Sequence, residues 1–152
     1  MKILWEIRTF DEFNLEEFHD LIQLRIEVFV IEQDCPYQEL DGLDKGAWHI
    51  TGRDENGQYI ACSRVIKGGE VYDQVSFGRV IIKEGFRGLK LGHEVVSRTM
   101  DFIKGKFPGE DVKISAQEYL LQFYELHDFV QVGEMYLEDD IPHIPMIYKV
   151  EK

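Results

Sequence analysis

Between residues 75 and 116 the chain reads as an apolar strand, a glycine-bearing basic turn, an amphipathic helix and a second apolar strand. No other stretch constrains the fold as tightly, because each piece carries its own period or punctuation. The first run ends at Ile82 and leads through Lys83-Glu84-Gly85-Phe86 into Arg87-Gly88-Leu89-Lys90-Leu91-Gly92. Leu91, Val95, Val96, Thr99, Met100 and Ile103 then share one face at helical spacing, and Pro108-Gly109 stops the helix.

Around this unit the remaining elements follow from shorter signals. Residues 4–8 alternate as a first strand, and Asn14 with Glu17 three residues on forms a capping box for a helix that runs to about Glu32. Residues 34–46 are a loop rich in turn formers. Two strands, 48–52 and 58–67, are joined by Asp54-Glu55-Asn56-Gly57, a hairpin signal. A short helix over 119–127 and two strands, about 130–137 and 143–150, complete the order β-α-β-β-β-α-β-α-β-β. The predicted class is α/β (α+β) with a mixed, partly antiparallel central sheet. A length of 152 residues suits one domain over 1–152, and 44% hydrophobic with 30% charged residues suits a soluble globular chain.

Charge narrows the function classes. Seventeen Lys and Arg against 29 Asp and Glu give a net charge of −12, which repels a phosphate backbone and disfavours nucleic acid. No apolar run approaches the ~20 residues that span a bilayer, and no signal core is visible at the start, so neither a membrane nor secretion is expected. Cys35 and Cys62 form neither a disulfide framework nor a metal-ligand spacing; Asp41, Asp44 and His49 are ligand types, but the turn-forming Asp41-Gly42 explains the first better. The expected compartment is the cytoplasm, and no metal is expected. Residues 79–106 nevertheless hold seven basic and three acidic side chains, an island of +4 in a remainder of −16. A local anion site is the functional reading; a solvated helix face is the bland one.

The junction at 87–93 supplies a place for that anion. A helix start leaves its first N–H groups unpaired and partly positive, and glycine lets an anion approach them. Gly88 and Gly92 flank the turn, with Arg87 and Lys90 adding charge. The spacing is neither that of a P-loop nor that of a Rossmann dinucleotide site.

Arg87-Gly-Leu-Lys-Leu-Gly92 after an apolar strand resembles motif A of the GCN5-related N-acetyltransferases (GNAT), Arg/Gln-x-x-Gly-x-Gly/Ala, with Lys90 where the wider family usually has Gly. Phe123-Tyr124-Glu125-Leu126-His127-Asp128-Phe129 is similar to that family's Phe-Tyr-x-x-x-Gly-Phe segment, with Asp128 in place of Gly. Leu24-Arg25, Val28 to Gln33, Cys35-Pro36-Tyr37, Asp41-Gly42 and Asp140-Ile141-Pro142-His143-Ile144 resemble the ElaA-like branch. The resemblance spans nearly the whole chain and implies helices on both faces of the sheet.

It also implies acetyl-CoA as cosubstrate, held between splayed parallel strands at 75–82 and 112–116. The pantetheine arm would pair with backbone groups of Val80, Ile81 and Ile82, and a bulge opening the strand is expected at Gly78. The pyrophosphate would rest on Arg87, Gly88, Leu89, Lys90, Leu91, Gly92 and His93. Tyr124 matches the tyrosine that protonates the leaving thiolate, and Gln117 and Ser115 would orient substrate or cofactor. The base is open: His143, whose neutral imidazole can take a proton near pH 7, or Glu32, or Glu134. Tyr37, Glu39, Asp41 and Asp44 would attract a cationic acceptor. Relatives are often dimers. The expected activity is N-acetylation of a primary amine on a small molecule or protein. Two alternatives stand beside it, an acyl-CoA-binding regulatory module without turnover and an acyltransferase like the acyl-homoserine lactone synthases, whose Arg-x-x-Val-Phe stretch Arg25 to Phe29 resembles.

Overall fold

A computed structural model describes residues 2–88 and 90–150. It contains strand β1 (Leu4–Thr9), helix α1 (Leu15–Ile26), strands β2 (Trp48–Arg53), β3 (Tyr59–Ile66) and β4 (Ser76–Ile82), helix α2 (Leu91–Lys106), strand β5 (Val112–Gln117), helix α3 (Leu121–Glu125), and strands β6 (Phe129–Gln131), β7 (Tyr136–Glu138) and β8 (Ile141–Tyr148). The class is mixed α/β, as the sequence predicts. The stretch expected as one strand over about 130–137 is two, β6 and β7, separated at Val132-Gly133-Glu134-Met135. Both pair with β8, β6 near its C-terminal end and β7 near its start, so one continuous strand could not serve both registers.

The strands form two antiparallel sheets, β1-β2-β3-β4 and β5-β8-β6 with β7 beside β8. They meet where Val75 bridges Val112 in parallel, with the Lys113 N–H donating to the Val75 carbonyl at 2.9 Å. Every residue of β3 is buried, as a strand covered on both faces must be. On one side α1 packs Leu21 and Leu24, with Val28 just beyond it, against Tyr59, Cys62 and Ile81. On the other, α2 buries Leu91, Val95, Val96, Thr99, Met100 and Ile103, the same six positions its period predicts. Full burial of such an aliphatic side chain contributes about 1.5–3 kcal/mol relative to exposure.

Local chemistry explains where these elements begin and end. Asn14 Oδ1 accepts from the Glu17 N–H at 2.7 Å and Glu17 Oε1 accepts from the Asn14 N–H at 3.1 Å, both halves of the predicted capping box. After Ile26 the helix widens into a π-helical segment, Glu27–Glu32, closed by the Cys35 N–H on the Val30 carbonyl at 3.0 Å. Such widened turns recur at functional sites, and this one presents Val28, Phe29 and Glu32 to a cleft. Asp128 adopts φ +68°, so it takes the left-handed geometry usually left to glycine. No helix among the described residues is long and apolar enough to cross a membrane.

Candidate active site

β4 is bonded to β3 along one edge; along the other it meets β5 only at the Val75–Val112 bridge. Past that point the strands part and frame a cleft of about 820 Å³. A β-bulge bends β4 away. Cys62 pairs with Ile81 and Arg64 with Gly78, which leaves Ser63 facing both Arg79 and Val80. The bulged residue is Arg79, at φ +51°, rather than the expected Gly78, because Gly78 keeps its register with Arg64 and the extra residue enters after it. Gly78 has another property: a Cβ built on it meets no atom within 4 Å, and the residue lines the cleft.

The basic turn adjoins this cleft. Gly85, Gly88 and Lys90 all have positive φ (94°, 84° and 60°), and Lys90 is the N-cap of α2. The left-handed Lys90 explains why glycine suits this position in related motifs; lysine there carries strain of about 1 kcal/mol. The first-turn N–H groups of Leu91, Gly92 and His93 have no intrahelical acceptor and form a partly positive helix end. At Gly92 a Cβ would lie 3.4 Å from Phe123, whose ring stacks on His93 at 4.6 Å. His93 Nδ1 lies 2.9 Å from His127 Nε2, and burial followed by the neighbouring His93 lowers the His127 pKa. Leu89, expected in this turn, lies outside the described residues.

Of the sequence-predicted site residues, Glu32, Val80, Ile81, Ile82, Arg87, Gly92, Gln117, Tyr124 and His143 all line the cleft. Glu32 is not free: its Oε2 lies 2.6 Å from Arg87 Nη2, and Arg87 Nε donates to the Ile82 carbonyl at 2.9 Å. Gln117 Nε2 reaches Gln33 Oε1 at 3.5 Å across the opening. Tyr124 is 6% exposed, packed against Phe77, Phe123 and Phe129, and burial pushes its phenol above the ordinary range. Glu134 lies exposed between β6 and β7 and does not line the cleft.

His143 is buried, with Nδ1 at 2.7 Å from the Ile141 carbonyl. A carbonyl only accepts, so Nδ1 carries a proton and Nε2 is the ring nitrogen left for proton exchange. Nε2 lies 3.5 Å from Glu138 Oε2. Glu138 Oε1 in turn accepts from Ser115 Oγ at 3.3 Å, and Ser115 Oγ is hydrogen-bonded to Tyr136 Oη. Tyr136 and Glu138 were missing from the sequence reading. Their signal is the period of two on β7, which becomes usable only once Tyr136 is known to face His143.

The loop over residues 33–44 forms another wall, and its acids do not behave as expected. Arg25 Nε donates to Glu39 at 2.9 Å and Nη1 to Asp44 at 2.6 Å; Arg64 binds Asp41 at 2.9 Å and Asp44 at 3.2 Å; Arg79 Nε reaches Glu39 at 2.6 Å. Glu39, Asp41 and Asp44 are thus neutralised by three guanidiniums rather than offered to a cationic acceptor. The pairing is what allows Arg25, Glu39, Asp44 and Arg64 to be buried. His49 Nε2 bonds the Asp44 carbonyl oxygen at 3.1 Å, and its burial lowers its pKa.

Neither cysteine has the setting of a nucleophile. Cys35 donates to the Asp139 carbonyl at 3.4 Å, and burial raises its pKa; Cys62 is pushed up to about 12 by burial. Among the described residues no group of three His, Cys, Asp or Glu side chains is placed to hold a metal ion.

Comparison with known proteins places this geometry. The Acetyltransferase (GNAT) domain family matches residues 12–150. Protein ElaA of Escherichia coli is 38% identical over 150 residues, 97% of each chain, and a UPF0039 protein of Synechocystis is 38% identical over 99% of this chain and 97% of its own. The crystal structure of an acyl-CoA N-acyltransferase from Pseudomonas aeruginosa superposes with a TM-score of 0.91 at 39% identity, covering 96% of this chain and 99% of that one. The chain is a member of the GNAT acetyltransferase family, in the branch that contains ElaA.

Proposed function

We propose that the protein transfers an acetyl group from acetyl-CoA to a primary amine of a small molecule or protein. The observation that carries this reading is the unpaired edge of β4, which runs along the cleft and ends at the basic turn before α2. An extended arm can add to such an edge as a further strand. Backbone groups of Val80, Ile81 and Ile82 would hold it, and the N–H groups at the start of α2, with Arg87 and Lys90, would hold a diphosphate. When bound, acetyl-CoA supplies the activated thioester.

The chain's own residues then divide the proton work. Tyr124 presents a protonated phenol from an aromatic wall and gives its proton to the leaving sulfur. His143, with its proton fixed on Nδ1, offers Nε2 to the amine. Glu32, tied to Arg87, belongs to the cofactor end of the cleft rather than to the base. Turnover, and not binding alone, is what the pairing of Tyr124 with His143 in one cleft supports.

Titration calorimetry with acetyl-CoA, followed by thiol release against a panel of primary amines, tests the reading. Micromolar binding and amine-dependent thiol release are expected, with Tyr124→Phe reducing kcat about 100-fold at unchanged acetyl-CoA affinity. Binding without release for any amine would point to a regulatory module, and no binding would remove the reading.

A further inference from the structure

We infer that Glu138 is the proton outlet of the site: it orients His143 for attack on the acceptor's proton and passes that proton to solvent. The inference rests on the transferase reading above and deepens it.

Three observations lead there. The imidazole of His143 is pinned at Nδ1 by the Ile141 carbonyl, so only Nε2 can take a proton. His143 itself is shut away from solvent, with 9% of its side chain exposed, whereas 51% of the Glu138 side chain is exposed at a distance of 3.5 Å. The Glu138 carboxylate is in turn held from its other oxygen by Ser115, and Ser115 is bound to Tyr136, whose ring is stacked over that of His143. Three side chains, Ser115 from β5, Tyr136 from β7 and His143 from β8, therefore fix the Glu138 carboxylate between a buried imidazole and water.

Chemistry assigns each part a task. A primary amine reaches neutral solution as an ammonium ion, which cannot attack a carbonyl. Its first proton goes to His143 Nε2, and the carboxylate of Glu138 stabilises the imidazolium so formed. The freed nitrogen attacks the thioester carbon, the C–N bond forms and the C–S bond breaks. Two protons leave the nitrogen altogether. One restores the proton that Tyr124 gives to the sulfur, and the other passes from His143 by way of Glu138 to water. Glu138 acts through His143 and is a positioning residue for this step.

The test compares the wild type with Glu138→Gln, using thiol release from acetyl-CoA with primary alkylamines, which are protonated at neutral pH, and with hydroxylamine, which is not. Because the side chain is half exposed, the isosteric glutamine is accommodated. The expected result is a fall of about tenfold or more in kcat with alkylamines, an unchanged KM for acetyl-CoA, and a hydroxylamine rate that is largely retained. An equal loss with both kinds of amine, or no loss with either, would overturn the inference and leave the transferase reading standing. No amine-dependent release by the wild type would overturn the transferase reading, and this inference with it.

Discussion

Arg87 and Glu32 face each other across the mouth of the cleft at 2.6 Å, with Arg87 also bound to the carbonyl of Ile82. One guanidinium thereby links the π-helical end of α1 to the end of β4. A diphosphate arriving at the turn would compete with Glu32 for that guanidinium, and the two anions repel each other across it.

The first prediction follows from this competition. Glu32→Gln should tighten CoA binding about three- to tenfold by calorimetry while leaving kcat within about twofold, since an exposed ion pair of this kind is worth roughly 1 kcal/mol. Arg87→Ala should weaken CoA binding about tenfold. Loss of turnover in Glu32→Gln at retained affinity would instead make Glu32 the base.

Gly78 supplies the second. Its absent Cβ would meet no atom within 4 Å, so Gly78→Val should fold with an undiminished melting temperature. The new side chain would nonetheless intrude on the edge along which an added strand must lie. CoA affinity should fall about tenfold or more, whereas Gly105→Ala, on α2 and likewise free of neighbours within 4 Å, should leave it unchanged.

The third concerns acid. Burial alone would raise the Asp41 carboxyl, but Arg64, the Leu43 N–H and Arg79 hold it at about 2 against an ordinary 3.8. Between those values the unfolded chain takes up a proton that the folded chain refuses, so stability declines as pH falls through this window and levels off below it. His49 begins the same trend earlier, below its ordinary 6.5, because its folded pKa is also lowered. Denaturant titrations at stepped pH should show both limbs, with Asp41→Asn flattening the lower one. At pH 7, Arg25→Met should cost about 3–5 kcal/mol by stranding buried carboxylates.

The legible parts of this fold were those written locally. Asn14 and Glu17 cap α1 reciprocally, the apolar stripe of α2 fixes which side faces the sheet, and Asp54 to Gly57 closes its hairpin. The turn from Arg87 to Gly92 could be read for the same reason: helix starts and glycines carry their chemistry in a few consecutive residues. What escaped depends on which strands become neighbours. The bulge sits at Arg79 because of its register with Ser63, and Glu138 gains meaning only from β8 and β5. The acids at Glu39, Asp41 and Asp44 read as a lure for a cationic acceptor because their partners, Arg25, Arg64 and Arg79, lie on three separate elements.

That last arrangement bears on how the wall of the cleft can change. The segment from Gln33 to Asp44 looks, in isolation, like an exchangeable surface loop, the usual place for a new preference to arise. Here a graft of foreign loop sequence would leave three guanidiniums without counterions, two of them buried. New acceptor ranges should therefore arise either by point changes at positions outside the ion cluster, such as Tyr37, Gln38 and Leu43, or by transplanting the loop together with all three arginines. The fold has made one of its most variable-looking segments inherit as a unit with its scaffold.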